Sequence, residues 1–231
     1  MAVRSTFPAR TRRDILALLV ACVAPAASAA PQRENRAKKP QATPSKSDDP
    51  EKRGALEEFC LLVEPKDGPQ VVRPISGAKM TGVVPARETS IGGVRYYTKD
   101  EFDALGFGWA GFEKRAAEAA DRFFATLKPE ISKDAKGFTK SALYRSKSQL
   151  ASTLAFSPRF YEVSRAAMGD DLVLLIPDRH TVHVFPRPLG EYKDLGKKIL
   201  QAYEDASFPA SYEVLVLNRN GLSCLGSFKT E

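Results

Sequence analysis

The 231-residue chain holds only two histidines. His180 and His183 sit with Asp178 and Arg179 in one short stretch, Pro177-Asp178-Arg179-His180-Thr181-Val182-His183. A carboxylate and an imidazole this close can work as acid and base, and a guanidinium on a loop can hold an anion. Asp178 and His180 are therefore the candidate catalytic pair, and Arg179 is the candidate ligand-binding residue. A plainer assignment competes with this one: Asp178 turns the chain after Pro177, while Arg179 and His180 are solvated. The histidines make a poor metal pair, because residues three apart on a strand point to opposite faces. No cysteine or carboxylate cluster completes such a site, so neither a metal nor a cofactor is expected. No Gly-x-Ser-x-Gly elbow is present, and Gly92-Gly93 and Gly106-Phe107-Gly108 fit no phosphate-loop spacing.

The elements that must position these residues are strands and helices in mixed order. Asp171 to Ile176 and Thr181 to Phe185 flank the Pro177–His180 stretch as a hairpin. Tyr212 to Leu217 and Leu222 to Phe228 flank Asn218-Arg219-Asn220-Gly221, whose Asn-Gly suits positive φ and predicts a second hairpin. Earlier, Phe59 to Val63 leads through the turn Lys66-Asp67-Gly68-Pro69 into Val71 to Ile75, and Val94 to Tyr97 is a short third run. Thr98-Lys99-Asp100-Glu101 is a capping box opening a short helix that ends near Gly106. Trp109, Phe112, Ala116, Ala120, Phe123 and Leu127 recur at three and four, predicting a long helix that Pro129 stops. Ser157-Pro158 caps another helix, and Tyr192, Leu195, Ile199 and Tyr203 stripe one from about 190 to 205. The prediction is an α+β fold: one domain over 54–231, with a mostly antiparallel sheet built from hairpins and covered by three to four helices.

Two of these pieces resemble the YtpQ-like family of uncharacterised bacterial proteins. One is Tyr97 to Gly106 followed by a long Ala-rich helix; the other is Gly169-Asp170-Asp171-Leu172-Val173-Leu174-Leu175-Ile176-Pro177-Asp178-Arg179. The resemblance covers residues 94–187. It implies the fold and no activity, since the family has no settled one, and the features N-terminal to it depart from that family's largely cytoplasmic pattern.

Those N-terminal features predict export. Arg4, Arg10, Arg12 and Arg13 precede an apolar run from Ile15 to Ala24, and Ala27-Ser28-Ala29 supplies a small-residue cleavage pattern. Residues 1–29 thus read as a signal peptide of the general secretory or the twin-arginine type. A minority alternative lipidates Cys22 within Leu19-Val20-Ala21-Cys22. Residues 30–53 are nearly devoid of apolar side chains and read as a disordered basic linker. The net charge of +7 divides into +3 on the signal, +3 on the linker and only +1 on 54–231. Basic charge is thus not concentrated on the folded part, as nucleic-acid binding would require, and no nucleic-acid partner is expected. No transmembrane segment is expected either. Removing the signal leaves Cys60 and Cys224, and an even pair in an oxidising compartment predicts a Cys60–Cys224 disulfide.

These readings converge on a periplasmic or secreted domain. Its leading function is non-enzymatic: binding or structural work in the cell envelope, with an envelope component or another exported protein as partner. The alternative is an extracytoplasmic hydrolase centred on the hairpin from Asp178 to His183.

Overall fold

Two antiparallel sheets share one core, and the apolar runs 60–63 and 172–176 are buried on both faces. The computed structural model describes residues 57–187 and 194–229, all within one compact unit. The predicted signal and linker lie outside the described residues. In the first sheet, β1 (Cys60–Pro65) pairs along one edge of β3 (Thr81–Glu88), with Leu62 opposite Val84. The short β2 (Arg73–Pro74) and β4 (Val94–Tyr96) share the other edge of β3. The second sheet has six strands in the order β10-β9-β7-β8-β6-β5. These are β5 (Glu130–Lys133), β6 (Thr139–Arg145), β7 (Leu172–Asp178), β8 (Thr181–Pro186), β9 (Glu213–Asn218) and β10 (Gly221–Ser227). This is an α+β fold, as expected, but its strands form two sheets rather than one.

Two of the helices start where their side-chain caps direct. Thr98 accepts the Glu101 amide while Glu101 accepts the Thr98 amide, closing the box before α1 (Lys99–Ala104). α2 (Gly108–Thr126) buries Phe112, Ala116 and Ala120, the stripe that the periodicity marked. A 3-10 segment (Ala151–Phe156) leads into α3 (Pro158–Met168), whose first turn is capped by Ser157 Oγ accepting the Phe160 amide at 2.9 Å. α4 (Leu195–Glu204) covers the outer face of the six-stranded sheet, packing Ile199 with Val173, Leu175 and Val216. The inner face, carrying Leu174, Val184 and Leu215, packs with Leu61, Val63 and Val83 of the first sheet and with Phe112 and Phe160. Among the described residues, no helix is long and apolar enough to cross a membrane.

Polar groups lock the sheets together. Glu213 on β9 is buried, and its Oε1 accepts the amides of Lys79 (2.7 Å) and Met80 (3.2 Å) while Oε2 accepts that of Thr81 (2.9 Å). Beside it, the Thr81 and Ser211 hydroxyls lie 2.9 Å apart. A parallel bridge joins Ser76 to Ser223, with the Cys224 amide donating to the Ser76 carbonyl at 2.8 Å. Gly77 makes this junction possible. Its φ is +79°, and a Cβ there would lie 2.6 Å from the Cys224 carbonyl oxygen, so a side chain would meet both strain and a clash.

The expected Cys60–Cys224 disulfide is not formed in the structure, where both cysteines are free thiols. Cys60 lies in β1 among Leu62, Ala86 and Leu150, whereas Cys224 lies in β10 opposite Leu215 of the other sheet. Although one is in the first strand and the other in the last, each is built into a different sheet. Burial, reinforced by Glu57 and Glu88, pushes the Cys60 thiol up to about 12. A thiol held so far from its thiolate is a poor nucleophile. Iodoacetamide at pH 8 should therefore label Cys224 well before Cys60 in the native protein, read by peptide mass spectrometry. Equal labelling rates would contradict the placement of Cys60.

Candidate functional site

The Asp178-to-His183 stretch does form the predicted hairpin, with Arg179 and His180 as its turn between β7 and β8. Asp178 makes that turn, its Oδ1 accepting the His180 amide at 2.6 Å. The expectation that Arg179 is solvated is corrected. Its side chain is only 13% exposed and inserts against Glu64 of the first sheet, itself 1% exposed. Arg179 Nε and Nη2 meet the two Glu64 carboxylate oxygens at 2.7 and 3.2 Å, a fork-to-fork pair. Tyr96 Oη donates to Glu64 at 3.0 Å and also contacts Arg179, while Gln149 accepts from Arg179 Nη1 at 3.2 Å. The guanidinium also lies 5.3 Å from the ring centres of both Tyr96 and Phe208. Burial raises the Glu64 pKa, opposed by the bonds from Arg179 and Tyr96, and the Tyr96 phenol is also raised, first by burial and then by Glu64.

This cluster ties β1 and β4 of one sheet to the β7–β8 turn of the other. Most of the Arg179 donors are thereby spent inside the protein. His180 is likewise occupied, with Nδ1 3.2 Å from the Ser146 carbonyl and its own carbonyl accepting the Ser146 amide at 2.9 Å. His183 lies on β8, stacked with Phe185 at a centroid distance of 6.4 Å, and burial lowers its pKa. Among the described residues, no group of three or more His, Cys, Asp or Glu side chains could hold a metal.

A different place offers room. A cleft of about 740 Å³ opens between β2, α2, the start of α3 and the β9–β10 turn, and neither Asp178 nor His180 lines it. That volume is within the usual range for small-molecule sites. Leu61, Ile75, Val83 and Leu217 form an apolar floor, all nearly inaccessible. The rim carries Arg73, Glu113, Glu162 and Arg219. Arg73 pairs with Glu113 and lies 5.0 Å from the Trp109 ring centre. Glu162 pairs with Arg165 at 2.7 Å and Arg219 with Asp170 at 3.5 Å. Tyr161 Oη donates to the Asp170 carbonyl at 3.0 Å, and Asn218 donates to Asp171 at 3.1 Å. Ser157, also at the wall, donates to Asp121 at 2.5 Å and so belongs to the helix cap.

A second hollow, of about 420 Å³, lies over Glu213 with Lys79, Tyr212 and Lys229 at its walls. The Glu213 carboxylate there is already filled by three amides. No family model matches the chain, nor does any curated protein or solved structure.

The sequence marked none of the cleft residues as a site. Its lining comes from stretches between Leu61 and Leu222 that only the packing of the two sheets brings together. The one legible hint was the Asn218-to-Gly221 turn, which read as a hairpin connection and contributes part of the rim.

Proposed function

We propose that this is an exported, non-enzymatic binding domain that takes a small ligand of low net charge, contributed by an envelope component, in the cleft between its sheets. The observation that carries this reading is the contrast between the two candidate places. The residues chemically suited to catalysis, Asp178 and His180, are engaged in holding the turn, whereas the cleft has a greasy floor and an open polar rim. Each charged rim side chain faces an opposite charge within the protein, so an ionic ligand would have to displace an existing ion pair. A neutral ligand with several hydroxyl or amide groups meets no such cost. The kinship with YtpQ-like proteins over 94–187 belongs to the same proposal and adds no activity to it.

The test is thermal stabilisation by envelope fragments: neutral glycans, lipid headgroups and short peptides. A ligand present at about a hundred times its dissociation constant adds about 2.7 kcal/mol of stability, which is a melting shift of several degrees for a domain of this size. Ala117→Trp places an indole at the cleft wall from the half-buried face of α2 and should abolish the shift while the unliganded protein melts as before. A ligand whose shift is the same in wild type and A117W would locate binding elsewhere and overturn the reading, as would turnover of a fragment that is lost in His180→Ala.

A further inference from the structure

One hairpin adds almost nothing to the core. Residues 130–138, comprising all of β5 and the turn into β6, are exposed without interruption. The inner face of the six-stranded sheet runs through Leu215, Leu174, Val184 and Ala142 as directly opposed partners, each almost fully buried. The next partner, Ile131 opposite Ala142, is 54% exposed, so the apolar row runs out past the edge of the domain. At the turn, Phe138 is 69% exposed. Its position is nonetheless fixed. Asp134 Oδ1 accepts the amides of Lys136 (2.8 Å) and Phe138 (2.9 Å), and the Asp134 amide donates to the Phe138 carbonyl at 2.9 Å.

The charge around these two apolar side chains is predominantly positive. Lys128, Lys133, Lys136 and Lys140 are all exposed on or beside the hairpin. Its two carboxylates are engaged, Asp134 by the turn amides and Glu130 by Arg145 at 3.3 Å. Edge strands commonly carry lysines to discourage pairing with other chains, which would account for Lys133. It does not account for an exposed phenylalanine at the tip of a turn whose backbone is pinned. Apolar tips amid lysines match the layering of a bilayer surface, where the apolar group enters the acyl boundary and ammonium groups meet anionic headgroups.

We propose that the β5–β6 hairpin docks this domain onto an anionic phospholipid surface, with Phe138 and Ile131 entering the interface and the lysines contacting headgroup phosphates. The full chain is tested with vesicles of phosphatidylcholine alone and of phosphatidylcholine mixed with phosphatidylglycerol. Trp109 is the chain's one tryptophan, so Phe138→Trp adds a reporter at the tip. The extra emission of F138W should shift to the blue and be quenched by brominated lipid on the anionic vesicles, and do neither on the neutral ones. Phe138→Asp should weaken sedimentation with anionic vesicles by about ten-fold without lowering the melting temperature. The pair K133E/K136E should weaken it by about ten-fold or more at low salt. A F138W indole that stays in water while the chain sediments would overturn the proposal, placing lipid contact in another segment. Equal binding to neutral and anionic vesicles would overturn it too, as would a tip reporter that responds to an added protein but not to lipid.

Discussion

Replacing Arg179 with alanine is expected to cost about 3–5 kcal/mol of folding stability, the range for leaving one member of a buried ion pair alone. Glu64, 1% exposed in the intact protein, would be left with Tyr96 as its remaining side-chain partner. Urea unfolding measures the loss, and its pH dependence identifies the cause. Burial already raises the Glu64 pKa in the folded state. A carboxyl whose folded value is raised stabilises fully below its unfolded pKa and loses that contribution as pH rises through the folded value. Deleting Arg179 removes the main opposing influence and lifts the folded value further, so the deficit of R179A should be largest near neutral pH and shrink toward pH 4. The paired change E64L/R179M should recover most of the stability, because it removes both charges at once. A loss under 1 kcal/mol in R179A, or one independent of pH, would show that the clasp carries little of the contact between the sheets.

The second large effect is expected at Glu213, which no catalytic or binding pattern in the sequence marks. Glu213→Ala leaves the amides of Lys79, Met80 and Thr81 without their acceptor at the start of β3. Bonds to a charged acceptor contribute about 1.5–3 kcal/mol each and do not add fully, so the expected cost is about 3–5 kcal/mol. Glu213→Gln keeps one acceptor oxygen and should lose roughly half as much. Hydrogen exchange at the Thr81 amide provides the local readout. It should accelerate in E213A far beyond what global destabilisation explains. Unchanged protection at Thr81 would mean that another group takes over the amides.

Both residues show why the sequence speaks clearly about elements and poorly about joints. The capping box at Thr98, the Ser157-Pro158 start of α3 and the stripe of α2 are local patterns, and each appears where the pattern places it. The β7–β8 and β9–β10 hairpins are equally local. β3 was missed because Gly82 and Pro85 interrupt its apolar run, although it is the strand on which the whole first sheet is assembled. With β3 unseen, the turn at Lys66 to Pro69 reads as joining neighbours, yet β1 and β2 lie on opposite edges of β3. β5 and β6 were missed for a different reason: β5 is exposed throughout and β6 buries only Ala142 and Tyr144, so their alternation is weak.

By itself, then, the sequence determined the class of fold, the positions of the helices and two hairpins, and the small charge of the folded part. Periodicity, caps and turn chemistry act over a few residues, so they are written in the order in which they are used. Only the tertiary structure decided that there are two sheets, that Cys60 and Cys224 go to different ones, and that Arg179 is spent on Glu64. It alone gathered the cleft from residues between Leu61 and Leu222. Those outcomes depend on which apolar faces meet, and the burial that drives their meeting is non-directional, leaving no local mark on either partner.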